Sequence, residues 1–283
     1  MKFFAPFNAC IALLTIQVSA NGVCYDPDHS ISGTMDAESV KVDMAVIKNH
    51  GFTSVRTYIS QFGSTNLGLA IDSANLGLKV ALGVPYPQSD YLIQMGAALT
   101  AANSTFLAYI FVGNENLADA MEVPDEMINL IKYIKKRVPK TVKVGTVQRN
   151  TEVINYSRIL GWSDLVDACD VLGVNIHPYF TPGTSAVNAI DVVKTQWATM
   201  EQTFGDKLMV TETGWPSCGK LFGNIGSAEG AEHFYRDYQA WTSSMVESFY
   251  FQMFDTPYKH QPFEKAYGIL TNESADKFDL GYQ

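Results

Sequence analysis

Two glutamates stand where a pair of carboxyl groups could perform acid–base chemistry. Glu115 follows the apolar run 109–113 after one intervening residue, and Glu212 directly follows the run 208–211. Glycoside hydrolysis needs one carboxyl group that keeps its proton for the leaving oxygen and a second that stays ionised. A salt bridge at the rim of the fold is the alternative role for each glutamate taken alone. We therefore predict a glycosidase-type site, provided that the fold brings the two side chains together.

Other polar or aromatic side chains also follow apolar runs. They are Tyr58, Asn114, Gln148, Asn175, His177 and Asp255. In a parallel α/β barrel the carboxyl ends of the strands carry the functional groups, so these residues are candidates for the same site. We predict that Tyr58 hydrogen-bonds a carboxylate or the sugar, and that His177 lines the site or orients a carboxylate. A structural role inside the barrel is the alternative for both.

The elements that must position these side chains are indicated by a repeating pattern. Eight short apolar runs, rich in β-branched and aromatic residues, alternate with amphipathic stretches. Successive runs end about thirty residues apart, the length that a strand, a helix and two loops require. The helical segments that the pattern indicates are 36–49, 90–102, 124–138 and 228–243. No Gly-x-Gly-x-x-Gly motif follows the first run, which disfavours an open doubly wound sheet.

The pattern predicts an α/β protein, a single (β/α)8 TIM barrel over 21–283 with its active site at the C-terminal face of the strands. Within such a ring the runs that end at Glu115 and Glu212 are the fourth and the seventh. Strands three steps apart in an eight-stranded ring face one another. The two carboxyl groups are therefore expected to converge from nearly opposite walls of the barrel.

Several sequence motifs resemble glycoside hydrolase family 17, which holds β-1,3-glucanases and glucanosyltransferases. The most specific is Val-Thr-Glu-Thr-Gly-Trp-Pro-Ser at 210–217, and Val-Gly-Asn-Glu at 112–115 accompanies it. Supporting matches are Val-Arg-Thr-Tyr at 55–58, Val-Asn-Ile-His-Pro-Tyr-Phe at 174–180, and the segments 251–259 and 267–270. The resemblance extends from about residue 22 to 280. It is closer to the compact microbial branch of the family than to the plant enzymes.

The resemblance implies a retaining double displacement on β-1,3-glucan oligo- or polysaccharide. Glu115 would be the acid/base and Glu212 the nucleophile, and Asn114 would hydrogen-bond the 2-hydroxyl of the sugar. Retention requires carboxyl groups about 5–5.5 Å apart. The implied enzyme is a glucan 1,3-β-glucosidase, and endo and exo cleavage both remain open.

Aromatic residues beside these motifs are candidates for sugar contacts. Trp215 follows the predicted nucleophile and is expected to stack on a glucose face, with packing inside its loop as the alternative. Phe180 and Phe254 serve either as sugar platforms or as parts of the core.

Composition and charge narrow the range of partners. The chain has 283 residues and a formal net charge of −9, and its clearest basic cluster, at 132–137, suits the exposed face of a helix. We therefore expect no nucleic acid as a partner. No His-x-x-x-His or close cysteine pair suggests a metal site, so we expect neither a metal nor a cofactor. No Gly-x-Ser-x-Gly nucleophile elbow is present, which disfavours a serine hydrolase. A monomer without a membrane anchor is expected.

The N-terminal segment indicates the compartment. Residues 1–20 combine Lys2, an apolar stretch at 10–16 and the small residues Val18-Ser19-Ala20, the pattern of a secretory signal peptide. This predicts a secreted glycoprotein, extracellular or in the cell wall. Sequons that fit this prediction begin at Asn103, Asn155 and Asn272.

Three cysteines lie outside the predicted signal peptide, namely Cys24, Cys169 and Cys218. An oxidising compartment allows one bridge among them, and pairing of Cys24 with Cys218 remains open. Cys169 precedes the sixth run and Cys218 follows the seventh, so we predict that these two lie at opposite faces and are not bridged.

Three alternative functions remain beside hydrolysis of β-1,3-glucan. A β-1,3-glucanosyltransferase would use the same glycosyl-enzyme and differ only in the acceptor. A non-catalytic glucan-binding protein on the same scaffold would be expected to lack one carboxylate, and both are present. A β-1,4-acting enzyme of the same clan is disfavoured only by the motif at 210–217.

Overall fold

Eight short strands, each parallel to its neighbours, form the framework of the computed structural model, which describes residues 21–30, 35–104 and 106–280. The predicted signal peptide, 1–20, lies outside the described residues. The barrel strands are β1 Gly22–Cys24, β2 Ser54–Arg56, β3 Lys79–Val84, β4 Leu107–Asn114, β5 Lys143–Arg149, β6 Val171–Asn175, β7 Leu208–Glu212 and β8 Phe249–Tyr250. They correspond one for one to the eight apolar runs.

The strands close into a ring. Each strand from β1 to β6 pairs with the next one along the chain, and β8 pairs with β1 through Gly22 and Phe249. A parallel bridge between Val210 and Ser248 joins β7 to the segment before β8. The predicted (β/α)8 barrel is therefore confirmed.

Helices connect the strands on the outside of the ring. They are α1 Ala37–Asn49, α2 Leu67–Ser73, α3 Tyr91–Ala101, α4 Asp125–Lys135, α5 Asn150–Ile154, α6 Trp162–Ala168, α7 Ala189–Phe204, α8 Ala228–Thr242 and α9 Pro262–Lys265. Short 3-10 turns at Pro27–His29, Tyr156–Arg158, Pro178–Phe180 and Gly205–Lys207 and two small antiparallel hairpins, at 61–66 and 220–225, complete the described elements. No helix among the described residues is long and apolar enough to cross a membrane.

The four helical segments predicted from the sequence are all present. α1 begins one residue later than predicted because Asp36 is its cap: its Oδ1 accepts hydrogen bonds from the backbone N–H groups of Glu38 and Ser39. α4 ends at Lys135, three residues earlier than predicted. Val138 precedes a proline, which disfavours helical backbone at that position.

Apolar side chains fill the barrel interior and the layer between strands and helices. Cys24, Ala81, Phe111, Val147, Val171, Met209 and Phe249 form the interior cluster. β5 and β6 approach so closely that a Cβ on Gly145 would lie 1.8 Å from the carbonyl oxygen of Val171. Glycine at this position therefore permits the pairing that aligns the two strands.

The three described cysteines are free, and their positions follow the direction of the strands. Cys24 is buried in β1, and Cys169 is buried just before β6. Cys218 is exposed in the loop after β7. Because parallel strands share one direction, Cys169 and Cys218 lie at opposite ends of the barrel, as predicted.

Candidate active site

A cleft of about 360 Å³ opens where the strands end at their carboxyl termini. Its lining is made of Asp26, Tyr58, Asn114, Glu115, His177, Phe180, Glu212, Phe251, Gln252, Lys259, Glu264 and Tyr267. Six of the eight site residues proposed from the sequence are in this set, and the other two are Trp215 and Phe254. The topology of the barrel therefore brings together residues that are far apart in the chain.

Glu115 and Glu212 meet across this cleft. The side-chain Nδ2 of Asn175 donates to Glu115 Oε1 at 2.8 Å and to Glu212 Oε1 at 2.9 Å, so one amide group bridges the two carboxyl groups. Oxygen atoms of the two glutamates and a ring nitrogen of His177 all lie within 4.8 Å of one another. Thr211 Oγ1 donates to Asn175 Oδ1 at 2.9 Å, which fixes the orientation of the bridging amide.

Local backbone geometry at the end of β4 positions Glu115. The pairing of β4 with β5 shifts between Phe111 and Asn114, and Gly113 has a φ of 75°. Glu115 itself has a φ of 55°, in the left-handed region that non-glycine residues rarely adopt. Such conformations cost of order 1–3 kcal/mol and concentrate at functional sites. The strand end thus turns the carboxyl group out of the strand direction and into the cleft.

Glu212 is a buried carboxylate held by two donors. Arg56 Nη1 donates to its Oε1 at 2.7 Å, and His177 Nε2 lies 3.1 Å from its Oε2. Burial by itself would raise the pKa of Glu212, but the positive charge of Arg56 and the hydrogen bond from His177 hold that pKa below its usual value. Glu212 therefore favours the ionised form more strongly than an ordinary glutamate does.

Glu115 is shifted in the opposite direction. Burial, and then the negative charge of Glu212, raise its pKa above the usual value, while His177 and Asn175 counteract part of the change. Two neighbouring carboxyl groups with opposite pKa shifts can supply an acid and an anion at the same pH.

Asn114 and Tyr58 complete the wall beside the carboxyl groups. Asn114 Oδ1 accepts from Arg56 Nη2 at 2.7 Å and from Asn175 Nδ2 at 3.2 Å, while its own Nδ2 has no partner among the described residues. The guanidinium of Arg56 lies 4.8 Å from the ring centroid of Tyr58. Asn114 therefore keeps an amide donor for a ligand, and Tyr58 packs against the cation that neutralises Glu212.

His177 is enclosed by aromatic rings. Its ring centroid lies 5.2 Å from that of Phe251, 5.8 Å from that of Tyr267 and 6.0 Å from that of Phe180, all in edge-to-face contact. Because Nε2 faces a carboxylate oxygen, Nε2 must carry the proton in the neutral tautomer. Phe180 is 47% exposed at this wall, so it retains a free aromatic surface in the cleft.

The structure contradicts the predicted sugar contacts of two aromatic residues. Trp215 is only 1% exposed and packs edge-to-face on Tyr179 with ring centroids 4.9 Å apart. Phe254 is 2% exposed and stacks on His29 at 4.1 Å. Both side chains point into the core, so neither presents a ring face to the cleft. For Trp215 the alternative of packing inside its loop is the correct one.

Some residues of the site were not selected from the sequence. Arg56 is the last residue of β2, and the available signal was a charged residue within a run that was predicted to be a buried strand. Asn175 was recognised as a strand-end residue without a role in bridging the glutamates. Phe251 and Tyr267 begin two segments that match the family, but neither was given a role in the site, because aromatic residues in apolar segments usually belong to the core.

The same three side chains offer a set of metal-ligating atoms. Glu115, His177 and Glu212 each contribute one ligand atom within 4.8 Å of the others. Both oxygens of Glu212 are already engaged, one by Arg56 and one by His177. A cation would therefore compete with a buried guanidinium for the same carboxylate, which favours a protonic function for the cluster.

Comparison with protein families supports this picture. Residues 22–268 match the family model described as the BtgE/BtgC glycoside hydrolase domain. A protein of Aspergillus clavatus named "Probable beta-glucosidase btgE" is 30% identical over 207 residues, covering 71% of this chain. The match covers 36% of that protein, so the chain corresponds to about a third of the length of this relative.

Solved structures show the same fold. A β-1,3-glucanosyltransferase of Rhizomucor miehei, as an active-site mutant in complex with laminaritriose, superposes with a TM-score of 0.77 at 24% identity over 93% of this chain and 97% of that one. An endo-laminarinase from Formosa superposes with a TM-score of 0.75 at 16% identity, over 90% of this chain and 84% of the other.

Proposed function

Because the chain belongs to the BtgE/BtgC glycoside hydrolase domain family, we propose that it hydrolyses β-1,3-linked glucan with retention of configuration. The observation that carries the proposal is the close approach of Glu115 and Glu212, which places one carboxyl oxygen of each within 4.8 Å of the other. Retaining enzymes hold the two carboxyl groups about 5–5.5 Å apart, whereas inverting enzymes leave roughly 6.5–9.5 Å for a water molecule. The short separation favours direct attack by one carboxylate.

In the first step Glu212 is the nucleophile and Glu115 the acid. A carboxylate oxygen of Glu212 forms a bond to the anomeric carbon while the glycosidic bond to the leaving oxygen breaks. The proton of Glu115 passes to that oxygen. Arg56 and His177 keep the nucleophile ionised and oriented before the attack.

In the second step Glu115, now ionised, removes a proton from water. The resulting oxygen nucleophile attacks the anomeric carbon, the ester bond to Glu212 breaks, and the carboxylate of Glu212 is regenerated. The Nδ2 group of Asn114 donates to the 2-hydroxyl of the sugar, an interaction that strengthens in the oxocarbenium-like transition state.

The choice of a β-1,3-linked glucan is supported by the proteins that share this fold. The neighbour from Rhizomucor miehei is a β-1,3-glucanosyltransferase in complex with laminaritriose, and the Formosa neighbour is an endo-laminarinase. The former also favours a second candidate function, transfer of the glycosyl group to a sugar hydroxyl. Water and a sugar hydroxyl attack the same intermediate, so the two reactions differ in the acceptor alone.

We propose further that the protein is secreted and acts as a monomer outside the cell or in its wall. The pattern of residues 1–20 and the three sequons support secretion.

Replacing each carboxylate tests the proposed roles. Glu212→Gln and Glu115→Gln are each expected to lower kcat/KM on linear β-1,3-glucan oligosaccharides by at least about 10³-fold, because one removes the nucleophile and the other the proton donor. Glu229→Gln, an exposed change in the first turn of α8, is the matched control and should retain wild-type activity.

The products distinguish the two candidate reactions. Chromatography that shows only shorter oligosaccharides supports hydrolysis, whereas products longer than the substrate support transfer. Wild-type turnover by a correctly folded Glu212→Gln variant would refute the nucleophile assignment.

A further inference from the structure

A second cavity lies at the opposite end of the barrel from the cleft. It occupies about 700 Å³ against about 360 Å³ for the cleft. Its floor includes Val171 and Met209, at the N-terminal ends of β6 and β7, and its wall includes the loop before β8. We call this cavity the basal groove. Its volume is within the range of small-molecule sites, about 300–1,000 Å³.

Two tryptophans form an aromatic wall of the basal groove. Trp197 of α7 and Trp241 of α8 meet edge-to-face, with ring centroids 6.0 Å apart and planes at 80°. Both are only partly buried, so each keeps indole surface exposed to the groove. An indole ring combines a large apolar face with one N–H donor, which suits a ligand that has both apolar C–H faces and polar groups.

A buried carboxylate oxygen without a hydrogen-bond partner lines the same groove. Glu247 is 5% exposed, and its Oε1 accepts from Ser54 Oγ at 2.7 Å. Its Oε2 has no hydrogen-bond partner in the part of the chain that the structure describes, and the Nζ of Lys79 is 3.9 Å away. An unsatisfied buried acceptor is costly, and a ligand hydroxyl group could donate to it.

Charge around the groove narrows the class of ligand. Asp170, Glu201 and Asp206 lie along it together with Glu247, and among the described residues its lining holds one cation, Lys143. Asp170 is also paired with the Nζ of Lys135 at 2.8 Å, from outside the lining. This excess of carboxylates repels anions and offers hydrogen-bond acceptors. A neutral ligand with many hydroxyl donors and flat apolar faces fits both the carboxylates and the indole rings.

We propose that the basal groove is a second, non-catalytic binding site for a β-linked glucose chain. The identity of the sugar rests on the proposed function of the cleft. The groove faces away from Glu115 and Glu212, so a sugar bound there takes no part in bond cleavage. On a polymer that presents many chains it holds the enzyme at the surface and raises the effective concentration of substrate at the cleft.

A second binding site at the opposite end of the barrel is expected to affect polymeric substrates and short substrates differently. A trisaccharide is too short to bridge two opposite ends of a barrel, so its turnover depends on the cleft alone. Binding to insoluble glucan, and turnover of that polymer, gain from both sites. Loss of the groove is therefore expected to affect the polymer and not the trisaccharide.

The test compares Trp197→Ala, Trp241→Ala and Glu247→Gln with wild type. Each is expected to weaken binding to insoluble β-1,3-glucan by about two- to tenfold, measured by depletion of protein from solution. kcat/KM on a linear β-1,3-linked trisaccharide should stay within twofold of wild type. Tyr133→Ala removes an exposed aromatic ring of α4 outside the groove and is the matched control.

Glu247→Gln keeps the size of the side chain, so the proposal remains testable if a tryptophan variant fails to fold. Unchanged polymer binding by folded Trp197→Ala and Glu247→Gln, with normal trisaccharide turnover, would overturn the proposed sugar-binding role of the basal groove. It would leave the proposed function of the cleft intact. Absence of trisaccharide turnover by the wild type would instead contradict the function proposed for the cleft.

Discussion

At the level of single residues, Arg56 decides how Glu212 differs from Glu115. Arg56 is 1% exposed, and its guanidinium donates to Glu212 and Asn114 at 2.7 Å each. This buried cation lies next to only one of the two carboxylates, and it lowers the pKa of that one, Glu212. The pKa of Glu115 is instead raised by burial and by the negative charge of Glu212. The opposite pKa shifts of two chemically identical side chains are thus linked to a third residue on another strand.

The coupling between the two glutamates leads to a pKa prediction. The negative charge of Glu212 contributes to the raised pKa of Glu115, so Glu212→Gln is expected to lower the pKa of Glu115. Carbon-13 NMR titration of the labelled Glu115 carboxyl group in both proteins measures the change. The exposed variant Glu229→Gln should leave that pKa where it is in the wild type. A pKa of Glu115 that stays constant or rises in Glu212→Gln would show that the two groups are not coupled.

Residue types and positions near strand ends were sufficient to select half of the residues that line the cleft. Glu115, Glu212, Asn114 and His177 each follow a predicted strand, and all four line it. The direction of an aromatic side chain beyond a strand end could not be predicted in the same way. Trp215 lies three residues beyond Glu212 but packs against Tyr179, because the loop after β7 folds back onto the core.

At the level of elements, close strand contacts determine how the site is assembled. A Cβ on Gly145 would lie 1.8 Å from the carbonyl oxygen of Val171, and one on Gly83 would lie 2.2 Å from that of Tyr58. Such contacts leave no room for a side chain without moving backbone. The alignment of β5 with β6, and of β3 with the segment after β2, therefore depends on glycine.

Two glycines in different surroundings, one in a strand and one in a helix, give opposite predictions for stability. Gly145→Ala is expected to lower the free energy of unfolding by about 3 kcal/mol, because backbone of β5 or β6 must shift. Gly96→Ala, at an exposed position inside α3 with nothing near the added Cβ, should raise it by roughly 0.5–1 kcal/mol. Chemical denaturation followed by circular dichroism measures both. Equal stability of Gly145→Ala and wild type would contradict the close packing of β5 on β6.

Elements were predictable where the hydrophobic pattern was regular. All eight strands coincide with apolar runs, and the boundaries differ by a few residues. α7, Ala189–Phe204, was not singled out even though it is the longest helix among the described residues. Its apolar stripe is interrupted by exposed residues and carries Trp197, which is only partly buried where it packs against the core and also lines the basal groove.

At the level of the whole molecule, the closed barrel separates two surfaces with different chemistry. The carboxyl ends of the strands carry the cleft with its two glutamates, and the amino ends carry the basal groove with its two tryptophans. Both surfaces are anchored in the same rigid strands. The regular spacing of the apolar runs was sufficient to predict the barrel and therefore the location of the cleft. The basal groove could not be predicted in this way, because it is formed by loops and helix ends from distant parts of the chain.

The stereochemistry of the reaction tests the central claim most directly. Proton NMR during the first minutes of cleavage of a linear β-1,3-glucan oligosaccharide reports the anomer that is released before mutarotation. The approach of Glu115 and Glu212 to within 4.8 Å predicts that this first product is the β-anomer. First formation of the α-anomer would show inversion through a water molecule and would contradict a covalent intermediate on Glu212.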